Sequence, residues 1–215
     1  MIALGSAVIP SVAVAQRAGD MTFGVMAGVS WATVNQDPEF GDVTFHYKPG
    51  LVAGVFLGFQ VNDVFSVEPQ AFYIQKGSKV KGTGSNSSLE GSVRISYIEV
   101  PLLGKFWFPV SNSQVRPFIF VGPAVAFKVG CTLEGEILSV TGSEDCDKTS
   151  VVKIKSTDFG GTVGGGIQFR AGNQIVVVDA RYTHGFTDVN DSGNNQEIKN
   201  RAFMATVGLG FPIGR

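Results

Sequence analysis

The sequence has little charge and no long apolar run, and each shortage excludes a class of protein. Charged residues make up 16% of the 215, against about 25% in an average soluble domain. The net charge is −1, so no basic field is present to bind nucleic acid. No window of about 18 uninterrupted apolar residues occurs, which excludes a helical membrane protein. Hydrophobic residues nevertheless reach 44%, which excludes a disordered chain.

Cysteine is nearly absent, since Cys131 and Cys146 are the only two. In an oxidising compartment, a disulfide that closes the polar stretch between them is the default prediction, and two unpaired thiols are the alternative. The sequence has neither a Cys-x-x-Cys pair nor a Cys/His cluster. It therefore predicts no metal site and no cofactor.

Residues 1–15 predict a cleaved secretory signal peptide. They are apolar and small, and they end with Ala-Val-Ala at 13–15, which is the pattern of a signal-peptidase site. We expect the mature domain to cover 16–215. An apolar first strand is the alternative, although Pro10 suits a strand poorly.

The remaining sequence shows period-two alternation with no convincing helical period. Eight strands are predicted, at Met21–Val34, Pro49–Val61, Val64–Lys76, Ser92–Phe108, Val115–Gly130, Asp158–Ala171, Gln174–Phe186 and Asn200–Phe211. The connections alternate between short turns and long loops, and the predicted long loops are Asn35–Lys48, Gly77–Gly91, Cys131–Thr157 and Thr187–Lys199. Outer-membrane barrels have short periplasmic turns and long external loops. The fold class is therefore an all-β, eight-stranded, antiparallel up-and-down transmembrane barrel in the bacterial outer membrane.

Two kinds of barrel differ in whether the apolar face of the strands points inward or outward. A soluble, lipocalin-like carrier would turn its apolar face inward around a ligand. The polar face here is mostly glycine and small residues, which suits a crowded lumen, and aromatic residues gather at strand ends as in an interfacial girdle. The apolar face is therefore predicted to meet lipid. The girdle includes Phe106 and Trp107, whereas the fifth strand is apolar on both faces and its facing is left open.

Two segments carry a family resemblance. Tyr97-Ile98-Glu99-Val100-Pro101-Leu102-Leu103-Gly104-Lys105 and Pro117-Phe118-Ile119-Phe120-Val121-Gly122-Pro123 resemble the outer-membrane β-barrel family that includes PorT-like proteins. The resemblance extends from Phe23 to Phe211 and implies an eight-stranded, OmpX- or OmpA-like architecture. It implies no activity.

Six ionisable residues on the inward face are the candidate functional residues. They are Glu68, Glu99, Lys105, Arg170, Asp179 and Arg181. An unpaired charge in a narrow lumen costs several kcal/mol, so we expect these residues to form a salt-bridge network that blocks the lumen. A gated ion path is the alternative.

Catalysis is not predicted. His46 and His184 are the only histidines, and they could meet Asp188 or Ser192 at a barrel rim, but no nucleophile motif accompanies them. The segment beginning at Asp188 starts like a calcium loop, yet its twelfth residue is a lysine where glutamate is required.

The sequence predicts a monomer that acts through its long loops in a structural or surface-interaction role. The expected partners are outer-membrane lipid and, through the loops, lipopolysaccharide or an external protein. The third loop is acidic, with charges at Glu134, Glu136, Glu144, Asp145 and Asp147. A soluble periplasmic carrier of an apolar ligand and a narrow ion-conducting barrel are the alternatives.

Overall fold

The computed structural model describes most of the predicted barrel. The backbone is described for residues 18–37, 43–84, 87–110, 115–135, 143–145, 155–188 and 197–213, and the side chains for 18–33, 47–77, 92–110, 115–132, 155–188 and 199–213. The predicted signal peptide lies outside these ranges. Within them, no helix has the length and hydropathy needed to cross a membrane.

The described residues form a closed antiparallel barrel. Its strands are β1 (Met21–Asp37), β2 (Val43–Asn62), β3 (Phe65–Gly84), β4 (Ser87–Trp107), β5 (Val115–Gly135), β6 (Ser143–Asp145), β7 (Thr157–Ala171), β8 (Gln174–Gly185) and β9 (Glu197–Ile213). Each barrel strand pairs with its neighbour along the chain, and β1 pairs with β9 from Met21↔Ile213 to Asp37↔Glu197. The short β6 pairs with β5 outside this ring. The predicted eight-stranded fold class is thereby confirmed.

The strands extend further at the long-connection end than the sequence predicts. The predicted loop Gly77–Gly91 is wrong, because β3 and β4 stay paired from Gly77↔Arg94 to Gly84↔Ser87. The other three predicted loops are also shortened by strand extensions, and the third contains β6. A 20-residue strand at roughly 3.3 Å per residue is longer than the roughly 25 Å apolar band requires, even when it is tilted. Beyond the membrane both faces of a hairpin meet water. The two strands can therefore stay paired there although their sequence no longer alternates between apolar and polar residues.

The apolar face points outward. Outward side chains such as Leu51, Ile119 and Val207 are half or more exposed, whereas the inward positions between them are buried. This is the arrangement predicted for a membrane barrel, and it is the reverse of the one a lipocalin-like carrier needs. On β5, whose facing the sequence left open, Phe118 and Phe120 point inward and are 2% exposed.

Aromatic side chains mark both edges of the apolar band. At the turn end, Phe65 and Phe106 pack with ring centroids 5.0 Å apart. At the other end, Tyr182 and Phe203 pack at 4.8 Å. The prediction that Trp107 belongs to the girdle is wrong, because this residue faces the lumen and its Nε1 donates a hydrogen bond to Ser66 Oγ at 2.9 Å. Period-two alternation places it inside, since Phe106 beside it points outward.

Candidate functional site

The ionisable lumen residues lie at alternate positions on strands that surround the barrel interior. Glu68 is on β3, Glu99 and Lys105 are on β4, and Asp179 and Arg181 are on β8. Each of these five is at most 5% exposed. Their burial follows from the pleat, because every second residue of a strand faces the same side.

A continuous chain of polar contacts crosses the lumen, and we call it the transverse chain: Lys105, Glu68, Gln70, Arg181 and Asp179. Lys105 Nζ lies 2.6 Å from Glu68 Oε2, and Gln70 Nε2 donates to Glu68 Oε1 at 2.7 Å. Arg181 Nη1 then donates to Gln70 Oε1 at 2.7 Å. Arg181 also binds Asp179 in a bidentate manner, at 2.9 Å from Nε and 2.7 Å from Nη2. The transverse chain joins β3 to β8, which are not neighbours in the barrel.

Aromatic rings enclose the cations of the transverse chain. The Arg181 guanidinium carbon lies 5.0 Å from the ring centroids of both Phe72 and Phe120. Lys105 Nζ lies 4.4 Å from the ring centroid of Phe118. Contacts of this kind stabilise a desolvated cation by about 2 kcal/mol or more. The chain is therefore both charge-paired and packed.

Glycines on β7 make room for these rings. A Cβ at Gly164 would lie 2.5 Å from Phe120 Cζ, and a Cβ at Gly166 would lie 2.8 Å from Phe118 Cζ. The same Cβ atoms would lie 2.5 Å from the Ala180 carbonyl oxygen and 2.2 Å from the Val178 carbonyl oxygen of β8. All these distances are too short for real atoms, so both positions favour glycine. These two glycines thus leave room for aromatic rings of the neighbouring strand β5.

A second polar group lies toward the long-connection end, and we call it the outer group: Lys76, Glu99, Tyr97, Asn200 and Asp158. Lys76 Nζ lies 2.5 Å from Glu99 Oε2 and 5.4 Å from the Tyr97 ring centroid. Asn200 Nδ2 donates to Asp158 Oδ2 at 2.8 Å and lies 3.4 Å from the Tyr97 hydroxyl. Asp158 Oδ1 is buried and has no hydrogen-bond partner among the described residues.

The structure divides the six predicted lumen residues. Glu68, Lys105, Asp179 and Arg181 come together in the transverse chain, while Glu99 belongs to the outer group. Arg170 is half-buried, one residue before the end of β7, and belongs to neither. Lys76, the partner of Glu99, is not among the six. It lies on the same face of β3 as Glu68, eight residues further along the strand, so alternation from Glu68 leads to it.

Other predicted residues stand apart from the lumen. Cys131 is buried on β5, while Cys146 lies outside the described residues, so the disulfide stays a prediction. His184 faces outward, and its ring packs against Tyr182 and Phe186 at 6.2 and 5.6 Å between centroids. The side chain of His46 and all of Ser192 lie outside the described residues. Asp188 lies 4.0 Å from Lys155.

The turn end of the lumen holds a small cavity. Its lining includes Gln60, Glu68, Trp107 and Gln168, and its volume of about 10 Å³ accommodates roughly one water molecule. No group of three or more His, Cys, Asp or Glu residues in the described part is arranged to hold a metal ion.

Comparisons with known proteins agree with this architecture. Residues 14–191 match a family described as "Outer membrane protein beta-barrel domain". The fold is similar to OprG from Pseudomonas aeruginosa, with TM-score 0.54, 14% identity, and coverage of 93% of this chain and 98% of OprG. Neisserial surface protein A (NspA) gives TM-score 0.49 and 13% identity over 88% of this chain and 96% of NspA. At such identities the likeness concerns the fold alone. No curated protein matches this chain significantly.

Proposed function

Because this chain belongs to the outer-membrane protein β-barrel domain family, we propose that it is a barrel with a blocked lumen whose interactions take place outside the membrane-spanning wall. Its location is the bacterial outer membrane, as the sequence predicted. Neither the family nor the similar folds supply a catalytic activity. The proposal therefore concerns the lumen and the long-connection end.

The transverse chain carries the proposal of a blocked lumen. It extends from β4 through β3 to β8, so the paired side chains occupy the centre of the lumen as well as its wall. An eight-stranded barrel has an interior just wide enough for side chains to fill. Leaving a buried charge without its partner costs about 3–5 kcal/mol. States in which the pairs of the transverse chain are broken are therefore rarely populated.

Aromatic packing adds a second obstacle to ion passage. Phe72, Phe118 and Phe120 are each 2% exposed and pack beside the paired cations. A hydrated ion that entered from either end would meet rings and neutralised charges, and the described residues form no continuous line of free polar groups. Dewetting at such a constriction opposes conduction.

Planar-bilayer recording tests the blocked lumen. We expect the refolded wild-type protein to give no steady channel. The triple variant Phe72→Ala, Asp179→Ala and Arg181→Ala removes one ring and both members of the ion pair, so no lone charge remains buried, and we expect it to conduct. Val178→Ala, which shortens an outward side chain on β8, is the control and should stay silent.

Steady channels of porin size in the wild type would contradict the proposal. Conduction by the triple variant shows that the recording can detect an opened barrel of this size. Heat-modifiable gel mobility of each variant establishes that it is folded before it is recorded.

At the long-connection end, the proposed role of the protein is a structural one or the binding of partners at the cell surface. The protein is proposed to act as a monomer. Its support is that β3 and β4 extend beyond the apolar band and that the predicted loops at this end carry the acidic residues. The signal peptide, the disulfide and the narrower likeness to PorT-like proteins remain predictions. Alkylation of the unreduced and the reduced protein, read by mass spectrometry, tests the disulfide directly.

A further inference from the structure

A row of aromatic side chains crosses three neighbouring strands, β8, β9 and β1, at the long-connection end of the apolar band, and a proline continues it on β2. Register pairs Tyr182 with Phe203, Phe203 with Trp31, and Trp31 with Pro49. Trp31 is 42% exposed and Phe203 is 49% exposed, both on the outer surface. Aromatic residues in such positions lie at the level of the lipid headgroups.

A polar row lies one pleat beyond the aromatic row, on the same outward face. Arg201 pairs in register with His184 of β8 and with Thr33 of β1. Lys199 follows at the next outward position of β9, opposite Asn35. This surface therefore changes within two residues from rings suited to acyl chains to groups suited to an anion.

Arg201 has an unsatisfied hydrogen-bond donor. Its Nε is buried and has no hydrogen-bond partner among the described residues. A buried donor without a partner destabilises the protein, and more so when the group is charged. Most such groups are satisfied by protein, water or a ligand, and this one lies where lipid headgroups would be.

We propose that Arg201, with Lys199 beside it, binds a phosphate of the glycolipid that forms the outer leaflet, while its acyl chains pack on Trp31, Tyr182 and Phe203. The guanidinium is suited to bidentate binding of a phosphate. The inference rests on the proposed function in one respect, because it takes the long-connection end to be external. It places lipid recognition on the barrel wall, whereas the sequence alone suggested the loops.

Native mass spectrometry of the full-length protein in detergent tests this site. The probes are lipid A with two phosphates, the same lipid A after dephosphorylation, and phosphatidylglycerol. We expect wild type to prefer diphosphorylated lipid A, and Arg201→Gln to weaken its binding about tenfold, as expected for loss of one charged hydrogen-bonding group. Arg201→Lys keeps the charge and should lose less.

Arg94→Gln is the matched control. Arg94 lies on β4, four strands from β9 around the barrel, and is half-buried as Arg201 is, so the substitution removes the same charge elsewhere. We expect it to leave lipid A binding unchanged. Heat-modifiable mobility establishes folding of both variants.

Three results would overturn the site: unchanged binding by Arg201→Gln, equal binding of the dephosphorylated lipid, or equally tight binding of phosphatidylglycerol. The last would identify a general anionic-lipid surface. A conducting wild-type barrel would contradict the blocked lumen and would leave these lipid results unaffected, so the two proposals fail separately.

Discussion

At the scale of single residues, the packing of the lumen depends on glycines that accept aromatic rings. Gly164→Ala places a methyl group 2.5 Å from both Phe120 Cζ and the Ala180 carbonyl oxygen. Overpacking of this kind costs about 1–3 kcal/mol, so we expect the free energy of unfolding to fall by that amount. Urea titration of the refolded protein, followed by tryptophan fluorescence, measures it.

Gly58→Ala is the control for this effect. The nearest atoms to a Cβ at that position are Glu68 Oε2 at 3.6 Å and Thr22 Cβ at 3.7 Å, which are ordinary contacts. Its stability should stay within about 0.5 kcal/mol of wild type. Equal destabilisation by both substitutions would mean that glycine acts here through the backbone and that the ring contact at Gly164 is unimportant.

Individual lumen residues are easier to predict from the sequence than their partners are. Alternation alone put Glu68, Asp179 and Arg181 inside, because parity is a local property. Their pairing across the barrel depends on side-chain length and on which strands face each other. Lys76 is absent from the predicted set because the third predicted strand ends there, although Glu99 needs a cation at that height.

At the scale of secondary structure, the β3–β4 hairpin contains a part that the membrane does not require. We expect deletion of residues 80–91, with Lys79 joined to Ser92 through Asn-Gly, to leave a folded barrel with heat-modifiable gel mobility. Most pairs of this segment join β3 to β4, and the others reach only the outer end of β2, at 43–45, and Gly135 of β5. The deletion removes neither the transverse chain nor the outer group.

A deeper deletion of the same hairpin supplies the comparison. Removing 76–95 and joining Gln75 to Ser96 through the same Asn-Gly turn eliminates Lys76 and leaves Glu99 without its cation. We expect this version to lose its heat-modifiable mobility, because a buried charge is left unpaired. If the shorter deletion also failed to fold, the hairpin extension would be part of the folding unit.

Strand boundaries are predictable at the turn end, and at the long-connection end only on β7 and β8, where prediction and structure differ by one residue. Val115, Ala171 and Gln174 begin or end strands as the sequence predicted, because tight turns require particular residues. Gly172 adopts φ +61°, which glycine tolerates. At the other end, strands such as β3 continue into polar sequence in which neither face is apolar. Hydrophobic alternation therefore cannot locate the ends of these strands.

At the scale of the whole molecule, the connection lengths predict orientation. An epitope inserted within 189–196 should bind antibody on intact cells, whereas one inserted within 111–114 should bind only after the outer membrane is permeabilised. Short turns face the periplasm in outer-membrane barrels. The reverse pattern of accessibility would exclude this orientation and, with it, the outer-leaflet lipid site.

Closure of the barrel joins the two strands that are furthest apart in the chain. Until β9 meets β1, each has an edge of unpaired backbone groups, which hydrocarbon cannot satisfy. Contacts between such distant segments form late in folding, since a long loop must close first. Insertion of a partly formed sheet is therefore unfavourable, and the cell must shield both open edges until the final strand has been delivered.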